Sequence, residues 1–277
     1  MTDQPTASAQ PGQPAQPTYP TGIGTSDLTS ISLLGQDITG LLGALTFGEL
    51  AFWLVAKRRP TKGEGRVFEA VLVSLADHGF TPTAIAARLT YYSAPDSIQG
   101  AVAAGLLGGG SRFLGVTENT GVYLDEIVQS LGDDTSGFSA DAWNDVARRA
   151  LEQAKSDGLR IPGLGHPVHK TGDPRTPVIM RIAREEGTFG PHLELFAAIG
   201  RVQQEVLGRN LPLNGAGVAG AALADLGLPV AMLRGFALLA RTAGLLGHIA
   251  EEQVTPIGPD VYFSVDRNAV YVPPEGV

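Results

Sequence analysis

The apolar residues of this chain recur at helical spacing, segment after segment, and each segment is stopped by glycine or proline. Apolar side chains three and four residues apart share one helix face, so each segment predicts a helix with a face to bury. Phe47 to Lys57 shows the pattern and stops at Arg59-Pro60. Glu64 to Asp77 repeats it through Val67, Val71 and Leu75, then stops at Gly79. Pro82 to Leu89, Ile98 to Leu107, Leu124 to Leu131, Ala140 to Lys155, Val178 to Glu186, His192 to Leu207 and Gly217 to Leu226 follow. The last helix is expected from about Pro229 to Glu252. Period-two alternation is nearly absent; Val261 to Val272 alone predicts a short hairpin. The fold class is all-α.

Hydrophobic residues at 43% and charged residues at 17% can supply a packed core. Residues 1 to about 25 are the exception. Pro5, Pro11, Pro14, Pro17 and Pro20 stand there among Gln, Ala, Ser and Thr, a composition that predicts a disordered tail. With 20 basic and 28 acidic residues the net charge is −8, which argues against a nucleic-acid binder. The absence of cysteine removes disulfides and thiolate chemistry. The five histidines lack HExxH-type spacing, so no metal is expected. Gly108-Gly109-Gly110 follows a helix rather than a strand, so it is no dinucleotide fingerprint. The first residues lack the basic start and apolar run of a secretory signal. Arg234, Arg241 and His248 interrupt the most apolar stretch, Val230 to Ala250, which reads as a buried helix rather than a membrane span. A cytoplasmic protein with no membrane partner is expected.

Three segments place polar groups at glycine-marked turns. In Ala76-Asp77-His78-Gly79 a histidine closes an amphipathic helix, as a cap, a dipole partner or a functional group. The run Ile161 to Arg175 gathers His166, His169, Lys170 and Arg175 among three glycines and three prolines. Such a loop suits a carboxylate or phosphate ligand; the plainer alternative is a solvated surface loop. Arg241, within Leu238-Leu239-Ala240-Arg241-Thr242, needs an anion among its apolar neighbours. That anion is either internal, such as Glu251 or Asp225, or a substrate carboxylate.

Together these segments resemble the citrate synthase superfamily, and more closely its short branch, the citryl-CoA lyases, with the lyase module of ATP-citrate lyase. The landmarks fall in family order from Thr29-Ser-Ile-Ser32 through Leu45 to Leu50, Ala76 to Gly79, Gly110 to Phe113, Gly163 to His166, Asp173 to Arg175 and Ala240 to Thr242. The ten-residue run from His166 to Arg175 is the most specific. The resemblance implies large and small helical domains, the small one inserted at about 130–230 of a domain spanning 26–277. It also implies an active site in the cleft and a homodimer or higher homo-oligomer. By position, His78 and His166 would polarise carbonyl oxygens. Arg175, Arg241 and Asn214 would lie at the substrate. Leu164, Gly165, His169 and Lys170 would lie along coenzyme A.

Two of the expected substrate positions depart from the family pattern. Full-length synthases carry a histidine where this chain has Leu114; citryl-CoA lyases lack it too, which favours the lyase branch. The family's catalytic aspartate falls at Ala216, in Leu213-Asn-Gly-Ala-Gly217, and the 25 residues from there to Arg241 match without a gap. A third arginine is absent near Gly258-Pro259. The reading that follows is a carbon–carbon lyase that cleaves a β-hydroxy or β-keto acyl-CoA less anionic than citryl-CoA, with a small carbonyl compound or carboxylic acid as the other partner. The alternatives are a condensing enzyme on the same fold and a catalytically silent paralogue that binds coenzyme A.

Overall fold

A computed structural model describes residues 17–132, 135–166 and 169–276. Most of the proline-rich segment expected to be a tail lies outside these residues. The chain divides into two compact units, residues 1–46 and 47–277.

The first unit holds an antiparallel sheet in the order β1 (Gly24–Ser26), β2 (Ile31–Leu33), β3 (Gln36–Asp37), followed by the single turn α1 (Ile38–Leu41). These strands are too short to show an alternating pattern, so no periodicity marks them. The Asp27 carboxylate organises the first turn by accepting N–H and O–H bonds from Thr29 and Ser30. Those bonds, led by the Thr29 amide, draw its pKa down to about 2.

The second unit is helical: α2 (Phe47–Ala56), α3 (Lys62–Ala76), α4 (Pro82–Ser93), α5 (Ile98–Leu107), α6 (Val116–Ser130), α7 (Ala140–Ser156), α8 (Arg175–Glu185), α9 (Pro191–Leu207), α10 (Gly215–Asp225), α11 (Leu233–Val254) and α12 (Gly258–Asp266). Several starts follow from local chemistry. Thr61 and Glu64 form a reciprocal capping box on α3, Thr81 caps α4 ahead of Pro82, and Ser97, Ser139 and Asn214 cap α5, α7 and α10. One core runs through the unit, with Phe52, Phe68 and Phe236 in edge-to-face contact. Each fully buried Leu or Phe adds roughly 1.5–3 kcal/mol. At the centre lies α10, all but one of whose residues before its last are buried. Its small side chains allow close packing: Gly220 sits against the Thr117 carbonyl of α6, where a Cβ would not fit.

The hairpin expected over Val261 to Val272 is absent; α12 occupies its first half, and Val270, Tyr271 and Val272 follow as exposed, non-helical chain. The reason lies outside the segment. The Glu252 carboxylate accepts the Ile257 and Gly258 amides, giving α12 a cap at the start where Pro259 already fixes φ. Arg88, itself buried, holds Glu252 in place. By length and composition α11 could cross a membrane. In this fold it packs on α3, α4, α5 and α6 and carries Arg241 and His248.

Candidate functional site

The site is built on two turns. The first joins α3 to α4. Asp77 leaves α3 in extended conformation and Gly79 has φ +68°, which puts His78 at the tip. Three points on α11 clamp this turn. Arg241 Nη2 donates to the Leu75 carbonyl (3.3 Å), Gly244 is seated against the Ala76 carbonyl, and His248 Nε2 meets Asp77 Oδ1 at 2.9 Å. The other Asp77 oxygen accepts the Gly79 amide. Burial raises the Asp77 pKa, but the Gly79 amide and His248 outweigh it and keep the carboxyl below its ordinary range.

The second turn runs from Ile161 to Asp173. Gly163 and Gly165 have φ +84° and +83°, which lets the loop fold back against residues 212–214. Gly165 N donates to Pro212 O (2.8 Å) and Asn214 N to Gly163 O (2.9 Å). Asn214 acts twice: its Oδ1 caps α10 at Gly217 N, and its Nδ2 donates to Gly165 O at 2.8 Å. Asp173 closes the loop. Its buried carboxylate takes a bidentate pair from Arg175 Nε and Nη2 (2.9 and 2.7 Å), the Arg175 amide and the Gly215 amide (2.7 Å). Burial alone would raise its pKa; these donors overcome that and hold it far below the carboxylate range.

Between the turns three imidazoles meet. Ring centroids are 5.2 Å apart for His78 and His166, 5.5 Å for His78 and His169, and 4.4 Å for His166 and His169. His166 Nδ1 accepts the His169 amide at 2.9 Å, so Nδ1 carries no proton and the neutral ring bears it on Nε2. Partial burial, then the rings and guanidinium around it, lower the pKa of His166 and favour that neutral form. The result is an N–H donor suited to a developing oxyanion. One nitrogen from each ring lies within 4.8 Å of the others, a spacing that also suits a divalent ion. An ion on Nε2 of neutral His166 would require the proton on Nδ1, facing the His169 N–H.

Arg241 supplies the charge. It is 5% exposed, and no carboxylate among the described residues forms an ion pair with it. Of the two internal candidates, Glu251 pairs with Arg88, and Asp225 accepts His192 and three amides. Among the described residues Arg241 Nη1 reaches the Thr81 hydroxyl at 3.4 Å, and its buried Nε has no partner. Burial pushes its pKa down; the nearby Asp77 charge opposes this and Arg175 adds to it. A buried guanidinium in this state has free donors that suit an anion.

The remaining expected positions divide. Arg175 is in the site, but its charge is matched by Asp173 while Nη1 ties α8 to Ser74 O of α3. Ala216 is half-buried two residues beyond Asn214, and Lys170 is exposed on the loop. His169, expected along the coenzyme, turns its ring to the other histidines. Leu114 is buried against Gly109 in the turn before α6. Asp77, Asp173 and His248 were not singled out by type or spacing; Asp173 was visible only as part of Asp173-Pro-Arg175.

The profile described as "Citrate synthase, C-terminal domain" matches residues 25–257. This chain belongs to the citrate synthase family. The family protein is 27% identical over 251 residues to the citrate synthase of Deinococcus radiodurans, covering 86% of this chain and 61% of that one. It therefore spans about three fifths of the length of that curated relative. Among solved structures, the citryl-CoA lyase of Hydrogenobacter thermophilus has a TM-score of 0.81 at 29% identity, covering 94% of this chain and 97% of the other. An ATP citrate lyase of Methanosaeta concilii in complex with (3S)-citryl-CoA shares the fold, with a TM-score of 0.73 at 22% identity, over 94% of this chain and 43% of that one.

Proposed function

We propose that this protein is a carbon–carbon bond lyase acting on a β-hydroxy or β-keto acyl-CoA. The observation that carries the reading is Arg241, a buried guanidinium with no ion-pair partner among the described residues, beside imidazoles of which one presents an N–H donor. Arg241 would bind a substrate carboxylate. His166 Nε2 would hold the thioester oxygen as the bond breaks and an enolate forms, and His78 would polarise the second carbonyl. The backbone at Leu164 and Gly165 and the exposed Lys170 would lie along coenzyme A. The resemblance of the near-full-length citryl-CoA lyase of Hydrogenobacter thermophilus supports this branch of the family. With Arg175 committed to Asp173 and no third arginine near Gly258-Pro259, the pocket offers fewer free cations than one built for a tricarboxylate, so the substrate is less anionic than citryl-CoA. The large and small domains, a cytoplasmic homodimer and use of the same site for condensation belong to this reading.

The test is turnover of citryl-CoA and a panel of β-hydroxy and β-keto acyl-CoAs by wild type and His166→Ala. We expect cleavage by wild type and a loss of about 10²- to 10³-fold when the donor is removed. Unchanged turnover in His166→Ala would refute the reading. Ala216 favours a second possibility, a silent paralogue; coenzyme A binding by calorimetry without cleavage of any member of the panel would select it.

A further inference from the structure

We propose that the His169 imidazole is the proton-transferring group of this site, in place of the carboxylate that a family aspartate would supply at position 216. This rests on the lyase reading above and assigns the one role that reading leaves open. Asn214, two residues before Ala216, is bonded to the loop that carries His166 and His169. A group lost at the start of α10 is therefore lost beside that loop.

The two carboxylates nearest the histidines are committed elsewhere. Both oxygens of Asp173 lie buried under the Arg175 guanidinium and two amides. Those of Asp77 are engaged by His248 and the Gly79 amide. His166 is fixed as a donor by its own Nδ1 bond. The His78 turn is clamped to α11 at three points, which suits a fixed polarising group. His169 is left: its ring lies 4.4 Å from that of His166 by centroid, is partly buried, and has no hydrogen-bond partner among the described residues. An imidazole nitrogen accepts a proton through its lone pair and, once protonated, donates it, so one ring can both take and return a proton.

The step balances without a co-reactant. His169 takes the proton of the β-hydroxyl, the O–H electron pair becomes the new C=O, and the Cα–Cβ bond breaks. Its electrons form the thioester enolate, whose oxygen rests on His166 Nε2–H. The enolate carbon then takes the proton back from the His169 imidazolium, which leaves the carbonyl product and the shortened acyl-CoA.

The experiment follows kcat and KM for the acyl-CoA that wild type cleaves, together with deuterium uptake from D2O into the methyl group of acetyl-CoA. His169→Ala and the similarly shaped His169→Gln should each lower kcat and exchange by about 10²- to 10⁴-fold with KM unchanged. Added imidazole should restore part of both rates in His169→Ala. Wild-type rates in either variant would overturn the proposal. So would a loss that imidazole leaves untouched and that appears in KM, which would mark His169 as a coenzyme contact. Active wild type with undiminished variants would refute this assignment alone; wild type inert in both assays would refute it together with the lyase reading.

Discussion

Arg241 is a residue whose removal should separate stability from function. Its buried Nε lacks a partner and its other contacts are long, so the folded chain carries the cost of an unmatched charge. Arg241→Met keeps the volume and removes the charge. It should raise stability by about 1 kcal/mol, or about 2 °C in Tm, and abolish acyl-CoA turnover. Differential scanning calorimetry beside the turnover assay checks both; a fall in Tm would show that the guanidinium is structural. Asp173 is the reverse case. Asp173→Asn leaves Arg175 and the Gly215 amide without their acceptor and should cost about 2–3 kcal/mol in urea denaturation, less than a fully buried pair because Arg175 keeps some solvent. The folded pKa of Asp173 is depressed, so its contribution is present above about pH 4 and is lost as pH falls toward the folded value.

Among the helices, the junction of α6, α9 and α10 is set by one histidine. His192 Nδ1 meets Asp225 at 2.8 Å and Nε2 meets Asp125 at 3.2 Å. Burial lowers its pKa, but the two carboxylates outweigh burial and raise it. A raised folded pKa gives stability that is complete below about pH 6.5 and lost as pH rises through the folded value. Melting curves should therefore decline above neutrality in wild type and lose that slope in His192→Phe, where Asp225 keeps its three amide donors. An unchanged slope would mean that another group titrates. Elements of this kind also mark how far the sequence could be read. Helix spacing and local caps located α2 to α5 and α7 to α11 within a few residues, because periodicity and capping act over short range. The first half of α6, from Val116 to the expected start at Leu124, was missed because its polar residues hide the period. The sheet and α12 were missed: β1 to β3 are too short for a period, and the cap of α12 comes from Glu252 on another helix. His78, His166, Arg241 and Asn214 were found by type and family position. Asp77 and His248 were not, since residues 171 positions apart pair only through the fold.

At the scale of the whole molecule, the apolar surface is the open account. Much of α2 turns inward, with Ala51, Phe52 and Trp53 buried within the second unit. Phe47 at 71% and Leu107 at 86% exposure remain in solvent. In the homodimer that belongs to the proposed reading, side chains left this bare would be covered by a second copy of the chain. Sedimentation at micromolar concentration should show a dimer, and Phe47→Asp with Leu107→Glu should shift it toward monomer. A monomeric wild type would remove the claim.

Gly163 and Gly217 touch backbone to backbone, both under the ring of Phe196. A joint of this kind holds the loop to α10 with no side chain of its own. The side chains around it can differ without moving the frame, because none of them forms the joint. Any larger residue at either glycine would part the two segments and carry the loop of His166 and His169 away from the start of α10.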